Sequence, residues 1–315
     1  MIRSSAKSAQ DFSQAARQLL GAFKRRHPLR GGSLIITVFG DSLAARQCEV
    51  SLSGLIELMA PFGLTERLVR TSIGRLAQDD WVVAHRIGRL SYYRLSAAGE
   101  ERFAAATRRI YAAPKEQWRG TWTTLIVPAE TERAARDRVR DTLRWSGFGQ
   151  LAPGVYVHPE IDAAIAARLV GSEPGAPALL LQARSESAEG DRRMIERGWD
   201  LDELERRYTR FIAGFAPALL ALKREPTPHP QDCFHIRTLL IHEYRKVHLL
   251  DPQLPRPLLP QDWAGNAAYE LCQSLYRQIA QRSDEYVQSM LTTSGGALPP
   301  PAAEVYQRFA RRVDE

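Results

Sequence analysis

The stretch TERLVRTSIGRL, residues 65–76, decides how the N-terminal third of the chain is interpreted. At helical spacing it has one apolar face, which consists of Leu68, Ile73 and Leu76 with Val69 and Ala77 at its edges. The opposite face is polar and carries Arg67, Arg70, Thr71 and Arg75. Thr65 follows Gly63 closely and is suited to cap the first turn, so a helix is predicted to begin sharply after a tight turn.

The segments on either side of this helix complete a recognisable order of elements. Residues 33–39 and 52–59 are apolar and predict two more short helices before it. Residues 81–86 and 91–95 predict two strands after it, joined by a turn that contains Gly88. Three helices followed by a hairpin are typical of a winged helix-turn-helix domain. Residues 96–111 then predict a helix that leads out of this domain.

The charge of the chain is concentrated in the same region. The formal net charge is +7, and residues 1–111 hold 17 Lys and Arg against 9 Asp and Glu, while the remainder holds 26 against 27. Lys and Arg supply most of the non-specific affinity for nucleic acid because they neutralise phosphates. The distribution therefore indicates a DNA-binding segment attached to a near-neutral body.

A recognition helix needs cations and hydroxyls on its exposed face, and a wing needs cations that meet the adjacent backbone or minor groove. The predicted DNA-binding residues are Thr65, Arg67, Arg70, Thr71 and Arg75 on the helix and Arg86, Arg89 and Arg94 on the hairpin. The alternative is a solvated basic helix that serves protein contacts.

The rest of the chain predicts two further domains, so the fold class is α+β multidomain. Residues 115–190 alternate between strand and helix patterns, which indicates a ferredoxin-like α+β domain. Its predicted strands are 122–127, 154–158 and 178–183, and its predicted helices are 130–145 and 161–170. Residues 191–315 predict an all-helical C-terminal domain with helices over 201–223, 233–250, 264–290 and about 303–312. The winged-helix domain is placed at 33–111, and residues 1–32 are predicted to be a basic arm with a short helix over 12–23.

Several short segments resemble one known family. The segments are residues 33–41, 58–64, 66–72, 91–95, 118–123 and 237–245. Together they resemble the PaaX-type repressors of phenylacetic acid catabolism. The resemblance implies a dimeric winged-helix repressor that binds double-stranded operator DNA and whose inducer is phenylacetyl-coenzyme A. It also implies a middle domain similar to the small ferredoxin-fold nucleases of CRISPR systems.

An acyl-coenzyme A effector needs cations for its phosphates and an aromatic or apolar slot for its acyl group. The candidates outside the DNA-binding third are Trp118, Arg119, Trp122, Arg144 and Trp145. The alternative for each tryptophan is ordinary packing at a domain junction.

Two groups of residues bear on whether the chain is an enzyme, and the first is a set of histidines. His235, His242, Glu243 and His248 share one predicted helix, but the second histidine of a His-Glu-x-x-His motif is absent because Lys246 stands there. A two-histidine metal site completed from another helix stays open beside the alternative of packed histidines, with Glu243 paired to Arg245 or Arg237.

The first strand of the predicted ferredoxin-like domain bears on nuclease activity. It ends in Val127, Pro128 and Ala129, none of which binds a metal, and Glu130 is predicted to open the next helix. The middle domain is therefore interpreted as a scaffold, and the chain as a repressor with no cofactor, no metal and no enzymatic activity. A metal-dependent nuclease or hydrolase, or a constitutive DNA-binding protein without a small-molecule input, remains the alternative.

Composition excludes other classes. No apolar run approaches the roughly 18 residues of a membrane span, and no secretory leader is recognisable. The three cysteines, Cys48, Cys233 and Cys272, fit neither a disulfide framework nor a zinc site. A cytoplasmic protein without a membrane partner is predicted.

Overall fold

The computed structural model describes residues 11–129, 131–171, 178–225 and 227–309, which form two compact units. The first unit draws on the ranges Met1–Ala113, Arg210–Arg245 and Ala268–Glu315, and the second on Pro114–Thr209 and Lys246–Ala267. Each unit thus combines distant parts of the chain. The domain boundaries set out above remain predictions.

The N-terminal part of the first unit contains the predicted helices and hairpin. Its helices are α1 (Phe12–Lys24), α2 (Gly31–Val38), α3 (Leu52–Met59), α4 (Glu66–Gln78) and α5 (Ala97–Ile110). Its strands are β1 (Val50–Ser51), β2 (Val82–Ile87) and β3 (Leu90–Leu95), which form an antiparallel sheet in the order β1-β3-β2.

Side-chain caps explain where these helices begin. The Thr65 side chain accepts a hydrogen bond from the backbone N–H of Leu68, and Ser96 does the same for Gly99. Each cap satisfies a backbone donor that has no partner inside the helix. The turn before α4 needs a left-handed residue, and Gly63 supplies it with a φ of 83°. The predicted start of α4 is confirmed.

Helix α1 is packed into the core of the first unit. Phe12 is fully buried and Phe23 nearly so, and the Phe23 ring lies edge-on to Phe62 with centroids 6.4 Å apart. The segment predicted as an arm with a short helix therefore holds a helix fixed by apolar contacts. Residues 1–10 of the predicted arm lie outside the described residues.

The long helices of the C-terminal region are α9 (Leu201–Leu222), α10 (Pro230–His248) and α11 (Ala264–Met290), and a three-residue 3₁₀ helix, Arg256–Leu258, lies between α10 and α11 in the chain. This region was predicted to be all-helical and is predominantly helical. It also contains a two-stranded ladder that was not predicted, formed by β8 (Thr292–Thr293) and β9 (Gly296–Ala297). A short 3₁₀ helix over Ala303–Gln307 stands where a helix over 303–312 was predicted, and residues 310–312 lie outside the described part of the chain.

The second unit contains a four-stranded antiparallel sheet. Its strands are β4 (Trp122–Ile126), β5 (Gly149–Ala152), β6 (Val155–His158) and β7 (Leu179–Ala183), and its helices are α6 (Arg133–Trp145), α7 (Ala163–Gly171) and α8 (Ala188–Gly198). The strand order is β5-β6-β4-β7, and every neighbouring pair is antiparallel. A β-α-β-β-α-β sequence with this order is the ferredoxin-like arrangement.

Both faces of this sheet are covered by apolar side chains. One face packs Leu125 and Tyr156 against the inward sides of α6 and α7. The other face packs Trp122 and Val157 against Ile195 of α8 and against Leu254 and Leu258. Two elements of this unit, β5 and α8, were not predicted. Glu130, which was predicted to open a helix, and the loop residues 172–177 lie outside the described residues.

None of the described helices is both long enough and apolar enough to cross a membrane.

Candidate nucleic-acid interface and ligand cavity

Helix α4 presents a polar face to solvent because its apolar residues are used in the core. Val69, Ile73 and Leu76 are buried. All eight predicted DNA-binding side chains are exposed, namely Thr65, Arg67, Arg70, Thr71, Arg75, Arg86, Arg89 and Arg94. The structure thus places Arg67, Arg70, Thr71 and Arg75 on the exposed side of α4, Thr65 at its N-cap, and the other three on the β2–β3 hairpin.

Two of the exposed α4 side chains have partners within the helix. Arg70 forms an ion pair with Glu66 at 2.8 Å, and the Thr71 hydroxyl donates to the backbone oxygen of Arg67 at 2.8 Å. Within the described residues, Arg67 and Arg75 form no ion pair. These two arginines are therefore the α4 cations best able to meet an external partner.

The β2–β3 hairpin ends in a two-residue turn that carries both charge and apolar surface. Gly88 has a φ of 57°, which favours glycine, and Arg89 is its neighbour in the turn. Ile87 and Leu90 face each other across the turn and are 45% and 53% exposed. The middle of β2 is tied to the residue before β1 by a 2.9 Å contact between His85 Nδ1 and Glu49.

The first unit also contains a buried ionic cluster that was not predicted. Asp41 accepts hydrogen bonds from Arg237 Nε at 2.7 Å, Arg308 Nη1 at 3.0 Å, Tyr111 at 2.6 Å and Tyr276 at 2.9 Å. The carboxylate thus joins the turn after α2 to the end of α5, to α10, to α11 and to the C-terminal segment.

A second carboxylate extends the cluster. Arg237 also contacts Asp284 at 3.1 Å, and Asp284 pairs with Arg46 at 2.9 Å. All of these charged side chains except Arg308, which is 9% exposed, are almost completely buried. Burial would raise the pKa of Asp41, but Arg237 and Arg308 together with the tyrosine hydroxyls lower it overall.

Helix α10 contacts α2 at two further positions. His242 Nδ1 lies 3.0 Å from the Thr37 hydroxyl, and Arg245 donates to Ser33 at 2.7 Å and to Thr37 at 2.9 Å. Segments 33–41 and 237–245, both of which carry the family resemblance, are therefore contact partners in the first unit.

Glu243 of α10 pairs with Arg26 at 2.6 Å, a partner that was not predicted. Arg237 is engaged by Asp41, and the Arg245 guanidinium donates to the Ser33 and Thr37 oxygens. The predicted pairing of Glu243 with Arg245 or Arg237 stays a prediction.

The other histidines of α10 are packed or hydrogen-bonded. His235 lies among Phe62, Phe234 and Tyr286, and burial lowers its pKa to about 4. His248 Nδ1 lies 3.2 Å from the Tyr208 hydroxyl. Across the described ranges, no group of three His, Cys, Asp or Glu side chains is arranged to hold a metal ion.

The second unit contains a cavity of about 1430 Å³ between α8 and strand β5, which is at the edge of the sheet. Its aromatic and apolar lining includes Trp118, Leu151, Ile195, Trp199 and Leu258. Its charged lining consists of Arg144, Arg192 and Arg197 and of Asp191, Glu196, Asp200 and Asp202. A ligand with an apolar group and separate polar groups matches this lining.

The five predicted effector residues fall into three settings. Trp118 and Arg144 line the cavity. Trp122 is fully buried behind it, where its Nε1–H donates to Asp191 at 2.8 Å and its ring lies 5.3 Å from that of Trp118. Arg119 is exposed and Trp145 is 64% exposed, and neither belongs to the cavity lining.

Sequence reasoning missed the cavity residues that come from α8 and from the proline-rich loop. Trp199 stands at the end of α8, and Leu258 lies 59 positions further along the chain. No local spacing links these residues to Trp118, so only the fold brings them together.

Three family models match the chain in succession. They describe a PaaX-like protein over residues 30–99, the central Cas2-like domain of PaaX protein over 115–195, and the C-terminal domain of PaaX-like protein over 199–289. The chain belongs to the PaaX family.

Two individual proteins are similar over most of the chain. The transcriptional repressor PaaX of Escherichia coli strain K12 is 36% identical over 293 residues, which span 90% of each protein. The solved structure of the uncharacterized protein Rv0674 from Mycobacterium tuberculosis aligns with a TM-score of 0.51 and 25% identity, over 75% of this chain and 90% of that one.

Proposed function

We propose that this protein is a cytoplasmic transcriptional repressor of a phenylacetate-catabolic operon, which binds double-stranded operator DNA through a winged helix-turn-helix. The observation that carries the proposal is the exposed cationic face of α4 beside an arginine-bearing hairpin, within the segment matched by the PaaX-like model. The name of the Escherichia coli relative supports the same function.

In this proposal α4 enters the major groove. Arg67 and Arg75 reach base edges, since guanidinium groups pair bidentately with guanine, whereas Arg70 is braced by Glu66 and meets the backbone. Thr65, whose hydroxyl oxygen caps the helix, donates its proton to a phosphate, and Thr71 does the same once its hydroxyl turns away from the Arg67 carbonyl. The hairpin approaches the adjacent minor groove, where Arg86, Arg89 and Arg94 meet phosphates and the apolar tip formed by Ile87 and Leu90 faces the groove floor.

Two copies of the chain act together in this proposal. One α4 covers a single half-site, and a homodimer reads two half-sites about one helical turn apart. The spacing between the half-sites then reports the geometry of the dimer.

Replacing Arg75 by alanine should weaken specific operator binding by about 1 to 3 kcal/mol if the side chain reads a base. Binding to unrelated DNA should change far less, because a base contact contributes little there. The measurement is a gel-shift titration with operator and random duplexes at one fixed salt concentration. Arg17→Ala, which removes an exposed arginine from α1, is the matched control. Equal weakening on both duplexes would instead assign Arg75 to the phosphate backbone.

The proposed effector is phenylacetyl-coenzyme A or a related acyl-coenzyme A, bound in the second unit. The cavity offers Trp118, Trp199 and Leu258 for an aromatic acyl group, and Arg144 for a phosphate. Since its carboxylates outnumber its arginines, we place the acyl group inside and the nucleotide outside, where the exposed Arg144 and Arg119 are candidates for the phosphates and Trp145 for the base. Trp122 supports Trp118 from behind.

Induction predicts a reciprocal effect on the two affinities. An effector releases DNA only if it binds the DNA-free form more tightly, so saturating operator should weaken phenylacetyl-coenzyme A binding by the same factor by which the thioester weakens operator binding. Typical couplings predict a factor of about 5 to 150. Isothermal titration calorimetry with and without operator measures it.

Free phenylacetate is the control ligand because it lacks the phosphates and should bind far more weakly. Operator binding that is insensitive to the thioester would make the protein a constitutive DNA-binding protein. If free phenylacetate binds as tightly as the thioester, the proposed contact between the arginines and the phosphates of coenzyme A is wrong.

A further inference from the structure

A basic strap precedes α2 and covers the turn that leads into α4. The strap is residues 24–30, with the cations Lys24, Arg25, Arg26 and Arg30. Lys24 and Leu29 pack on Gly63, where an added Cβ would lie 3.1 Å from Lys24 Cγ and 3.6 Å from Leu29 Cδ1. The strap thus rests on the residue whose turn starts α4.

The end of the strap also lies against α4 itself. A Cβ on Gly31, the residue after Arg30, would lie 2.8 Å from Ser72 Oγ and 3.2 Å from Leu68 Cγ. Only glycine permits this close approach. Arg30 is therefore held beside the N-terminal half of the helix that carries the proposed recognition residues.

The first unit also fixes α1, whose C-terminal end leads into the strap. Phe12 N–H and the Ser13 hydroxyl at the start of α1 contact Glu225 and Asp232, while Phe23 near its end packs on Phe62. The position of the strap is therefore set by contacts within the core of the unit.

The charges of the strap are not equally available. Arg26 is neutralised by Glu243 at 2.6 Å. Lys24, Arg25 and Arg30 are exposed, and within the described residues they form no ion pair with a carboxylate. Lys24 and Arg30 thus stand beside the N-terminal turns of a helix whose own exposed face is cationic, while Arg25 lies at the end of α1, with its Nη1 3.5 Å from the position of a Cβ on Gly21.

We propose that the strap is a third DNA-binding element, in which Lys24, Arg25 and Arg30 contact phosphates that flank the groove entered by α4. This inference rests on the proposed DNA-binding function. A helix in the major groove lies between two phosphate backbones, so cations fixed beside its first turns meet phosphates and not base edges. The strap increases the affinity for DNA and helps to fix the position of the protein on the duplex, but it does not distinguish one base sequence from another.

The test is the salt dependence of binding to a random-sequence duplex of about 30 base pairs, measured with the full chain by fluorescence anisotropy. The variant combines Lys24→Gln, Arg25→Gln and Arg30→Gln, since glutamine keeps the aliphatic stem that packs on Gly63. Each lost phosphate contact flattens the slope of log affinity against log salt by about 0.9, so the slope should flatten by about 2 to 3 units.

A matched variant removes the same number of charges elsewhere on the first unit. It combines Lys223→Gln, Arg224→Gln and Arg277→Gln, all at exposed positions, and its slope should stay close to that of the parent. A strap variant with the parental slope, or a matched variant that flattens equally, overturns the strap as a DNA-binding element.

The failure of the proposed function has a different signature. A parent chain with no salt-dependent DNA binding would refute DNA binding altogether, whereas a steep parental slope that the strap variant retains refutes the strap alone. Circular dichroism melting of both variants shows whether the fold is preserved. If the triple variant fails to fold, a single Arg30→Gln variant leaves the Lys24 packing untouched and should flatten the slope by about 0.9, and a parental slope in that variant would refute the contact of Arg30 with DNA.

Discussion

Replacing Asp41 by alanine should lower the free energy of unfolding of the first unit by about 3 to 5 kcal/mol, because removing one partner of a buried ion pair leaves uncompensated charge. Arg237 loses a 2.7 Å ion pair and Arg308 a 3.0 Å pair. Tyr111 and Tyr276 lose their acceptor in the interior. A buried donor without a partner retains its full desolvation cost.

Denaturant unfolding of the purified variant measures this loss. Glu57→Ala is the matched control, since it removes an exposed carboxylate from α3 of the same unit and should change stability by less than about 0.5 kcal/mol. A double variant, Asp41→Ala with Arg237→Met, should be more stable than the sum of the single effects predicts. An Asp41→Ala variant as stable as the control would show that the cluster does not hold the unit together.

The same carboxylate predicts a dependence on pH. Folding lowers the pKa of Asp41, so its stabilising contribution is fully present above the ordinary carboxyl pKa of about 3.9 and is lost as the pH falls through the lower folded value. The stability difference between the parent and Asp41→Ala should therefore shrink as the medium is acidified below about pH 4.

The parts of the fold that are encoded locally could be predicted from the sequence. Thr65 and Ser96 cap the helices whose starts they mark. The β2–β3 hairpin follows from two strand-forming runs around a glycine turn. In each case the deciding hydrogen bonds join residues close in the chain, so a short window contains the whole cause.

Two elements of the second unit have weaker local signals. The strand β5 reads Gly-Gln-Leu-Ala, without β-branched residues, and exists because β6 pairs with it. Helix α8 has a capping residue, since the Ser187 side chain accepts a hydrogen bond from the backbone N–H of Gly190, but the helix is mostly polar and buries only Ile195. Its cap is a local signal, whereas its packing against the sheet depends on tertiary context.

The buried ion pair of Asp41 and Arg237 also could not be predicted from local sequence. Coming after Gly40 at the end of an apolar run, Asp41 had the sequence features of a helix end. The structure instead continues through a π-helical turn over Phe39–Leu43 and buries the carboxylate. Its partner Arg237 is 196 positions away, so only the fold reveals the pair. The exposed arginines of α4 needed no such partner, and periodicity alone placed them on the surface.

Replacing Trp122 by alanine should destabilise the second unit by about 3 to 5 kcal/mol, as expected for emptying a fully buried aromatic position. The indole is 0% exposed, packs with Val157 and Ile195, and donates to Asp191 at 2.8 Å. Loss of acyl-coenzyme A binding in this variant would follow from loss of structure. Thermal and denaturant unfolding, read from the remaining tryptophans, measure the effect.

The milder variant Trp122→Phe separates packing from ligand contact. It keeps an aromatic ring in the core and removes the N–H that Asp191 accepts, so stability should fall by about 1 to 3 kcal/mol while the other cavity-lining side chains keep their contacts and only Asp191 loses a donor. Trp118→Ala should do the opposite, since Trp118 is half-buried at the cavity wall, and should weaken phenylacetyl-coenzyme A binding with a smaller loss of stability. Trp145→Ala, on the exposed end of α6, distinguishes an outer contact from the cavity. The opposite pattern would contradict the proposed site. In that pattern a folded Trp122→Phe protein binds the thioester more than about tenfold more weakly, which corresponds to about 1.4 kcal/mol of binding free energy, while Trp118→Ala binds it normally. The effector would then contact the buried side chains around Trp122 and not the cavity wall at Trp118.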